Sequence, residues 1–212
     1  MPDRSWGDLA GSDEVRFNEL HPIKNFPLIA FARGGWGSAR LLERNQPWRE
    51  GWMVGFSDLT SILLSRLSSG FKGGVHGPLI TTLGAEPDWS KDRLKSILFG
   101  NSVPDIYGDP WGGGTATGHL IVGNLTVLTH LIGTNHIPNF EGSILIIEDI
   151  GEAPYRIDRM LTHLRLAGIL KKISGLGFGS FTNCTNKENV NKDESFDLDH
   201  IFKDRTKDLK IP

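Results

Sequence analysis

The 212-residue sequence predicts an α/β fold in which parallel strands alternate with helices. Residues 26–31 (FPLIAF) and 52–56 (WMVGF) are short apolar segments that read as buried strands. Each is followed by a segment with helical spacing of its apolar residues, at 38–43 and at 59–67. This alternation of strand and helix is typical of a parallel sheet.

The second half of the chain continues the alternation after a glycine-rich segment at 70–84. A helix is predicted at 90–99 and a long turn-forming segment at 101–118. Further strands are predicted at 119–122, 143–147 and 173–181, and further helices at 124–132, 155–167 and 196–204. Because the sequence changes after residue 68 from an apolar helical pattern to a glycine-rich segment, we expect a domain boundary near residues 70–80.

Composition and charge argue against several kinds of partner. The formal net charge is −2 and no long basic stripe occurs, so nucleic acid is a poor candidate. Cys184 is the only cysteine, so an internal disulfide cannot form and a reducing compartment is compatible. The sequence shows no apolar secretion signal and no apolar run near the roughly 20 residues that cross a bilayer. We expect a soluble cytoplasmic protein without a membrane partner.

Polar residues and glycines follow three predicted strands. They are Arg33, Gly34 and Gly35 after the first, Ser57 and Asp58 after the second, and Glu148 and Asp149 after a third. In open parallel sheets, ligands gather at the carboxyl ends of the strands, so these residues are candidates for a site by position.

Ser57 admits two interpretations. It could cap the helix that begins at Asp58. Alternatively, a serine on a tight strand-to-helix turn could act as a nucleophile, with the backbone N–H of Asp58 stabilising an oxyanion. The sequence GFSD departs from the common GxSxG pattern because Leu59 replaces the second glycine. From this stretch alone, the cap is favoured.

The other candidates also have an ordinary interpretation. Gly34 and Gly35 could bring backbone N–H groups close to a substrate, or could simply form a turn. Glu148 could orient a histidine, or could be a solvated carboxylate. The run at 112–114 lacks the lysine of a phosphate-binding loop. His119, His130, His136 and His163 lack metal-ligand spacing, so no metal site is predicted.

Several segments together resemble the L,D-carboxypeptidase family of serine peptidases, which includes the microcin-C immunity peptidases. The matching segments are LAGSDEVRFNEL, ARGGWGSARLL, VGFSDLTSILL, VHGPLITTL, ATGHLIVGNLTVLTHLIGT and ILIIEDIGEAPYRIDRMLTHLRLAGIL. The resemblance implies a flavodoxin-like parallel-sheet domain, residues 1–75, followed by a smaller β-rich domain with helices, residues 76–212. It also implies that both are incomplete, the first lacking a strand-helix unit and the second the segment with the family's histidine.

The resemblance assigns roles to individual residues. Ser57 matches the nucleophile and Glu148 matches the acid that orients a histidine, which the family places beyond Pro212. The backbone N–H groups of Gly35 and Asp58 match the oxyanion hole. Arg33, Gly34, His76, Arg156 and Arg159 are possible substrate-binding residues.

The resemblance implies a serine carboxypeptidase that removes a C-terminal D-amino acid. Its substrate would be a small peptide, the murein tetrapeptide, from which D-alanine is released during cell-wall recycling. No metal or other cofactor would be needed, and a homodimer is expected from the family. Within the family, the alternative is a microcin-C-type hydrolase of acyl or peptidyl nucleotides. A second alternative is a non-catalytic protein that retains only peptide binding.

Overall fold

The computed structural model describes residues 5–185 and 196–212, and its parallel sheets and helices confirm the α/β fold class. The chain forms two compact units. The N-terminal unit comprises Met1–Ile106 and Gly133–Pro138, and the C-terminal unit comprises Tyr107–Ile132 and Asn139–Pro212. Residues 76–106 thus cluster with the N-terminal unit, while a domain boundary after residue 75 stays a prediction.

The N-terminal unit is built on a three-stranded parallel sheet of order β1-β2-β3. Its elements are α1 (Asp13–Leu20), β1 (Leu28–Ala30), a 3₁₀ helix (Ala39–Glu43), β2 (Trp52–Gly55), a 3₁₀ turn (Ser57–Leu59), α2 (Thr60–Ser68), β3 (Gly74–His76), a 3₁₀ turn (Leu83–Ala85) and α3 (Asp88–Phe99). The core lies between β2 and α2, where Val54, Ile62 and Leu64 are almost fully buried.

Two expectations for this unit need correction. The predicted buried strand at 26–31 is only the three-residue β1, and its Leu28 and Ala30 are exposed. Pro27 lacks the N–H that would extend the ladder, and β1 pairs with β2 alone among the described strands. The predicted helix at 38–43 is a 3₁₀ helix, the form that such short segments favour.

The C-terminal unit contains a second parallel sheet of order β4-β5-β6. Its elements are β4 (Leu120–Asn124), α4 (Leu125–His130), β5 (Ile144–Ile150), α5 (Pro154–Leu166), a 3₁₀ helix (Ile169–Lys171), β6 (Gly175–Thr182) and α6 (Leu198–Thr206). The sequence predicts Asn124 as the cap of α4, and the cap is confirmed, because the Asn124 side chain accepts a hydrogen bond from the Val127 N–H at 3.1 Å. Leu145 and Leu161 are fully buried between sheet and helix.

Other features of the C-terminal unit can also be compared with the sequence. Gly168 has φ +74° directly after α5, as expected for a left-handed helix terminator. From the predicted helix at 196–204 we also expect His200 to be exposed, and it is exposed on α6. The sequence also predicts a polar surface loop at 183–195, and residues 186–195 of it lie outside the described residues. Within the described segments, no helix combines the length and apolarity that a membrane span requires.

Candidate active site

Ser57 occupies a strained corner between β2 and α2. Its φ is +65°, a left-handed conformation that only one other non-glycine residue, Asn183, adopts in the described part of the chain. For a residue with a Cβ, this conformation costs on the order of 1–3 kcal/mol and tends to occur at functional sites. The backbone at Ser57 therefore has the strand-turn-helix geometry of a nucleophile elbow.

The structure does not support a capping role for Ser57. The residue at the N-cap of the 3₁₀ turn is Phe56, and the residue at the N-cap of α2 is Leu59. Neither makes a side-chain cap hydrogen bond with the described residues, and Ser57 itself lies inside the turn. The helix start therefore does not require the Ser57 hydroxyl.

The turn after β1 lies directly against this corner. We call residues 33–37 (Arg33-Gly34-Gly35-Trp36-Gly37) the glycine turn. A Cβ added to Gly34 would lie 3.2 Å from the Ser57 Cβ and 3.5 Å from its Oγ, so a side chain at this position would crowd the hydroxyl. Gly35 has φ +120° and a Cβ there would meet no described atom within 4 Å, so its backbone conformation is what favours glycine.

The end of β3 reaches the same edge of the sheet. His76, the last residue of β3, pairs in register with Gly55, the last residue of β2. Its ring packs edge-on against the Phe56 ring, with centroids 5.5 Å apart. The structure thus brings together three of the predicted positions at the carboxyl edge of one parallel sheet: the glycine turn, Ser57 and His76.

Asp58 links the elbow to the residue that follows the glycine turn. Its carboxylate Oδ2 accepts a hydrogen bond from the Ser38 N–H at 2.8 Å, and its main-chain oxygen accepts one from the Ser38 hydroxyl at 2.7 Å. The Ser61 Oγ lies 3.0 Å from the same oxygen and 2.5 Å from the Ser38 Oγ. Sequence reasoning did not single out Ser38 or Ser61, because serines carry no positional signal of a contact with Asp58.

An ion network reaches the glycine turn from α1. Arg16 donates through Nη1 to the Gly37 carbonyl at 3.1 Å and through Nη2 to the Asp13 carboxylate at 2.5 Å. Arg40 also donates to Asp13, through Nη2 at 2.6 Å. These hydrogen bonds lower the pKa of Asp13 from 3.8 to about 2, and the bond from Arg40 has the largest effect. Asp13 therefore orients the arginine that holds the end of the turn.

We expect this network to survive mild acid and to fail only in strong acid. Because the pKa of Asp13 is lowered to about 2 in the folded protein, its stabilising effect is complete above pH 4 and is lost as the pH falls toward 2. A carboxyl-resolved NMR titration would measure this pKa directly. In the Arg40→Gln variant it should rise toward 3.8, whereas an Asp13 that titrates normally in the unmodified protein would contradict the network.

Glu148 lies within β5 and not after it, which corrects the predicted end of this strand. The strand continues to Ile150, with a β-bulge or similar irregularity in its pairing with β6 between Ile147 and Asp149. Glu148 pairs in register with Asn124, the last residue of β4, and is half-buried. Glu148 thus lies level with the carboxyl end of the neighbouring strand β4, and its role as an acid stays a prediction.

The two arginines proposed on α5 are exposed and already have contacts in the C-terminal unit. Arg156 donates to the Glu152 carboxylate at 3.4 Å and to the Tyr155 hydroxyl at 3.2 Å. Arg159 lies over the Tyr155 ring, 5.7 Å from its centroid. Among the residues that the structure describes, no group of three or more His, Cys, Asp or Glu side chains could hold a metal ion.

Comparison with known proteins identifies the family. The model of the LD-carboxypeptidase N-terminal domain matches residues 2–77, and that of the LD-carboxypeptidase C-terminal domain matches residues 117–212. The murein tetrapeptide carboxypeptidase of Pseudomonas aeruginosa is 33% identical over 96% of this chain and 71% of its own length. The chain belongs to the LD-carboxypeptidase family. A Synechocystis protein that carries a provisional name as a carboxypeptidase is 44% identical over 98% of this chain.

Solved structures support the same family and fold. The muramoyltetrapeptide carboxypeptidase from Oxalobacter formigenes has a TM-score of 0.78 and 27% identity, and the alignment covers 99% of this chain and 75% of that one. MccF in complex with glutamyl sulfamoyl guanosine has a TM-score of 0.79 at 19% identity, covering 99% of this chain and 73% of that one, and shows the shared fold alone. This LD-carboxypeptidase family chain spans 60–75% of the length of its relatives.

Proposed function

We propose that this member of the LD-carboxypeptidase family is a serine peptidase that removes a C-terminal D-amino acid from a murein tetrapeptide. The observation that carries the proposal is the left-handed backbone of Ser57, at φ +65° on a strand-to-helix turn. The capping role that would explain this serine otherwise is absent from the described contacts of the turn. The names of the Pseudomonas and Oxalobacter relatives support murein peptide as the substrate class.

In the proposed reaction, the Ser57 hydroxyl attacks the carbonyl carbon of the scissile peptide bond. The negative charge that develops on the carbonyl oxygen is stabilised by the backbone N–H groups of Gly35 and Asp58. Gly34 has no side chain to crowd the Ser57 Oγ, which leaves room for the attacked carbonyl. Collapse of the tetrahedral intermediate releases the D-amino acid, and water then hydrolyses the acyl-enzyme.

A serine hydroxyl needs a general base to become a good nucleophile. We assign this role to a histidine oriented by Glu148. His76 is the alternative within the described residues, because it lies at the same sheet edge as Ser57. A chain without a suitable base would bind the peptide without cleaving it.

The carboxylate of the leaving amino acid needs a cationic partner. We favour Arg33, which is exposed at the start of the glycine turn and forms no ion pair with the described residues. Arg156 is already engaged by Glu152 and Tyr155, and Arg159 stacks on Tyr155.

We further propose that the protein acts in the cytoplasm as a homodimer, and that it cleaves a small peptide without a cofactor.

Release of D-alanine from murein tetrapeptide by this chain tests the proposal. We expect the Ser57→Ala variant to lose at least about a thousandfold in rate, because nucleophile and base act as a unit. Ser69→Ala, an exposed serine at the end of α2, is the matched control and should leave the rate unchanged.

Three other outcomes would redirect the assignment. Release that persists in Ser57→Ala would exclude Ser57 as the nucleophile. Peptide binding without release would favour the non-catalytic alternative. Cleavage of an aminoacyl sulfamoyl nucleotide, but not of the tetrapeptide, would favour the microcin-type reaction.

A further inference from the structure

We propose that Asp58 is a positioning residue whose carboxylate fixes the glycine turn against the nucleophile elbow. This inference rests on the proposed function and extends it from the backbone N–H of Asp58 to its side chain. The role we infer is to hold the N–H groups of Gly35 and Asp58 in one fixed arrangement, so that both donate to the same oxyanion.

The hydrogen bonds between the elbow, at Asp58, and the residue after the glycine turn, Ser38, form one connected set. The Asp58 carboxylate accepts from the Ser38 N–H at 2.8 Å, while the Ser38 hydroxyl donates back to the Asp58 main-chain oxygen at 2.7 Å. Ser61 joins this set from α2, with its Oγ 3.0 Å from the Asp58 oxygen and 2.5 Å from the Ser38 Oγ. Ser38 and Ser61 are buried, at 6% and 0% exposure, so water does not replace these bonds readily.

The glycine turn needs such a restraint. It contains Gly34, Gly35 and Gly37, and the last two have positive φ values of +120° and +94°. Glycine backbone is the least restricted of all residues, so this turn would sample many conformations if its C-terminal end were not anchored. Arg16 restrains it at the Gly37 carbonyl, and Asp58 restrains it at the next residue, Ser38. An oxyanion hole stabilises the transition state only if its donors are held in place beforehand.

The carboxylate acts here through its hydrogen bond and not through its charge. A negative charge close to a developing oxyanion opposes that oxyanion, so charge alone would favour a neutral residue at position 58. Asparagine keeps an oxygen that can accept from the Ser38 N–H. Asp58→Asn should therefore preserve the restraint, and Asp58→Ala should remove it.

The kinetic test compares these two variants in hydrolysis of murein tetrapeptide. For Asp58→Ala we expect kcat to fall about 10–100-fold with KM within about threefold, because the restraint matters most in the transition state. Asp58→Asn should return kcat to within about threefold of the unmodified protein. Asp92→Ala, an exposed residue on α3, is the control for loss of an aspartate. Equal losses in the Ala and Asn variants, or an unchanged kcat in Asp58→Ala, would overturn the proposal.

A second measurement does not depend on activity. Amide hydrogen exchange at Ser38, whose N–H donates to the Asp58 carboxylate, should accelerate at least about tenfold in Asp58→Ala and not in Asp58→Asn, with the amides of β2 unchanged. Unchanged exchange at the Ser38 amide would overturn the positioning role, whatever the kinetics. Activity that persists in Ser57→Ala would instead overturn the proposed function, and the exchange result would still show whether Asp58 holds the turn.

Discussion

Replacing Ser57 with glycine is expected to abolish peptide hydrolysis and at the same time to stabilise the protein. The native φ of +65° is costly for serine but accessible to glycine. Glycine relieves this strain but adds conformational entropy to the unfolded chain. The net effect should be a rise of about 1 kcal/mol in the free energy of unfolding. For a chain of this size, that gain corresponds to about 2–4 °C in Tm. The rate of D-alanine release should fall at least about a thousandfold.

The Ser57→Ala variant separates the two effects. Alanine removes the hydroxyl but keeps the Cβ and its strain, so hydrolysis should be lost without a gain in Tm. Calorimetry of both variants beside the unmodified protein makes the comparison. A Ser57→Gly protein that melts below the Ser57→Ala protein would show that the left-handed corner is not a source of strain.

Local sequence signals accounted for most of the secondary structure. Ser12 and Asn124 are typical capping residues before predicted helices, and both cap them, with side-chain oxygens that accept from the N–H groups of Val15 and Val127. These signals work because a cap needs only residues within one helical turn. The pairing of Asp58 with Ser38 could not be predicted in this way, because it joins residues 20 positions apart and depends on how β1 and β2 pair.

The end of β5 shows where a polar signal misleads. Two acidic residues after an apolar run favour the end of a strand, yet β5 continues through Glu148 and Asp149 to Ile150. Burial of Asp149 is possible because partners on β4 and α4 supply the hydrogen bonds that water would otherwise provide. The placement of Ser57 at a strained corner is a finding of the structure, whereas the catalytic roles of Ser57 and Glu148 stay predictions.

Asp149 is expected to be among the most important single residues for the stability of the C-terminal unit. It is 3% exposed and its carboxylate accepts four hydrogen bonds of 2.8–3.0 Å. The donors are the Asn124 amide, the Thr126 N–H and hydroxyl, and the Ile150 N–H. Asp149→Ala would leave these donors without their acceptor, and the Asn124 amide among them is buried. We expect a loss of about 3–5 kcal/mol in the free energy of unfolding.

Urea unfolding of graded variants can distinguish this role from a loss of packing. Asp149→Asn keeps the volume and one acceptor oxygen but introduces N–H donors where acceptors are needed, so it should lose about half as much stability as Asp149→Ala. Asp199→Ala on α6 loses only an exposed ion pair with Lys203, so it should change the free energy of unfolding by no more than about 1 kcal/mol. Equal losses in the two Asp149 variants would mean that the charge is decisive. Since Asn124 pairs in register with Glu148, loss of the Asp149 contacts should also loosen the strand end that carries the proposed acid.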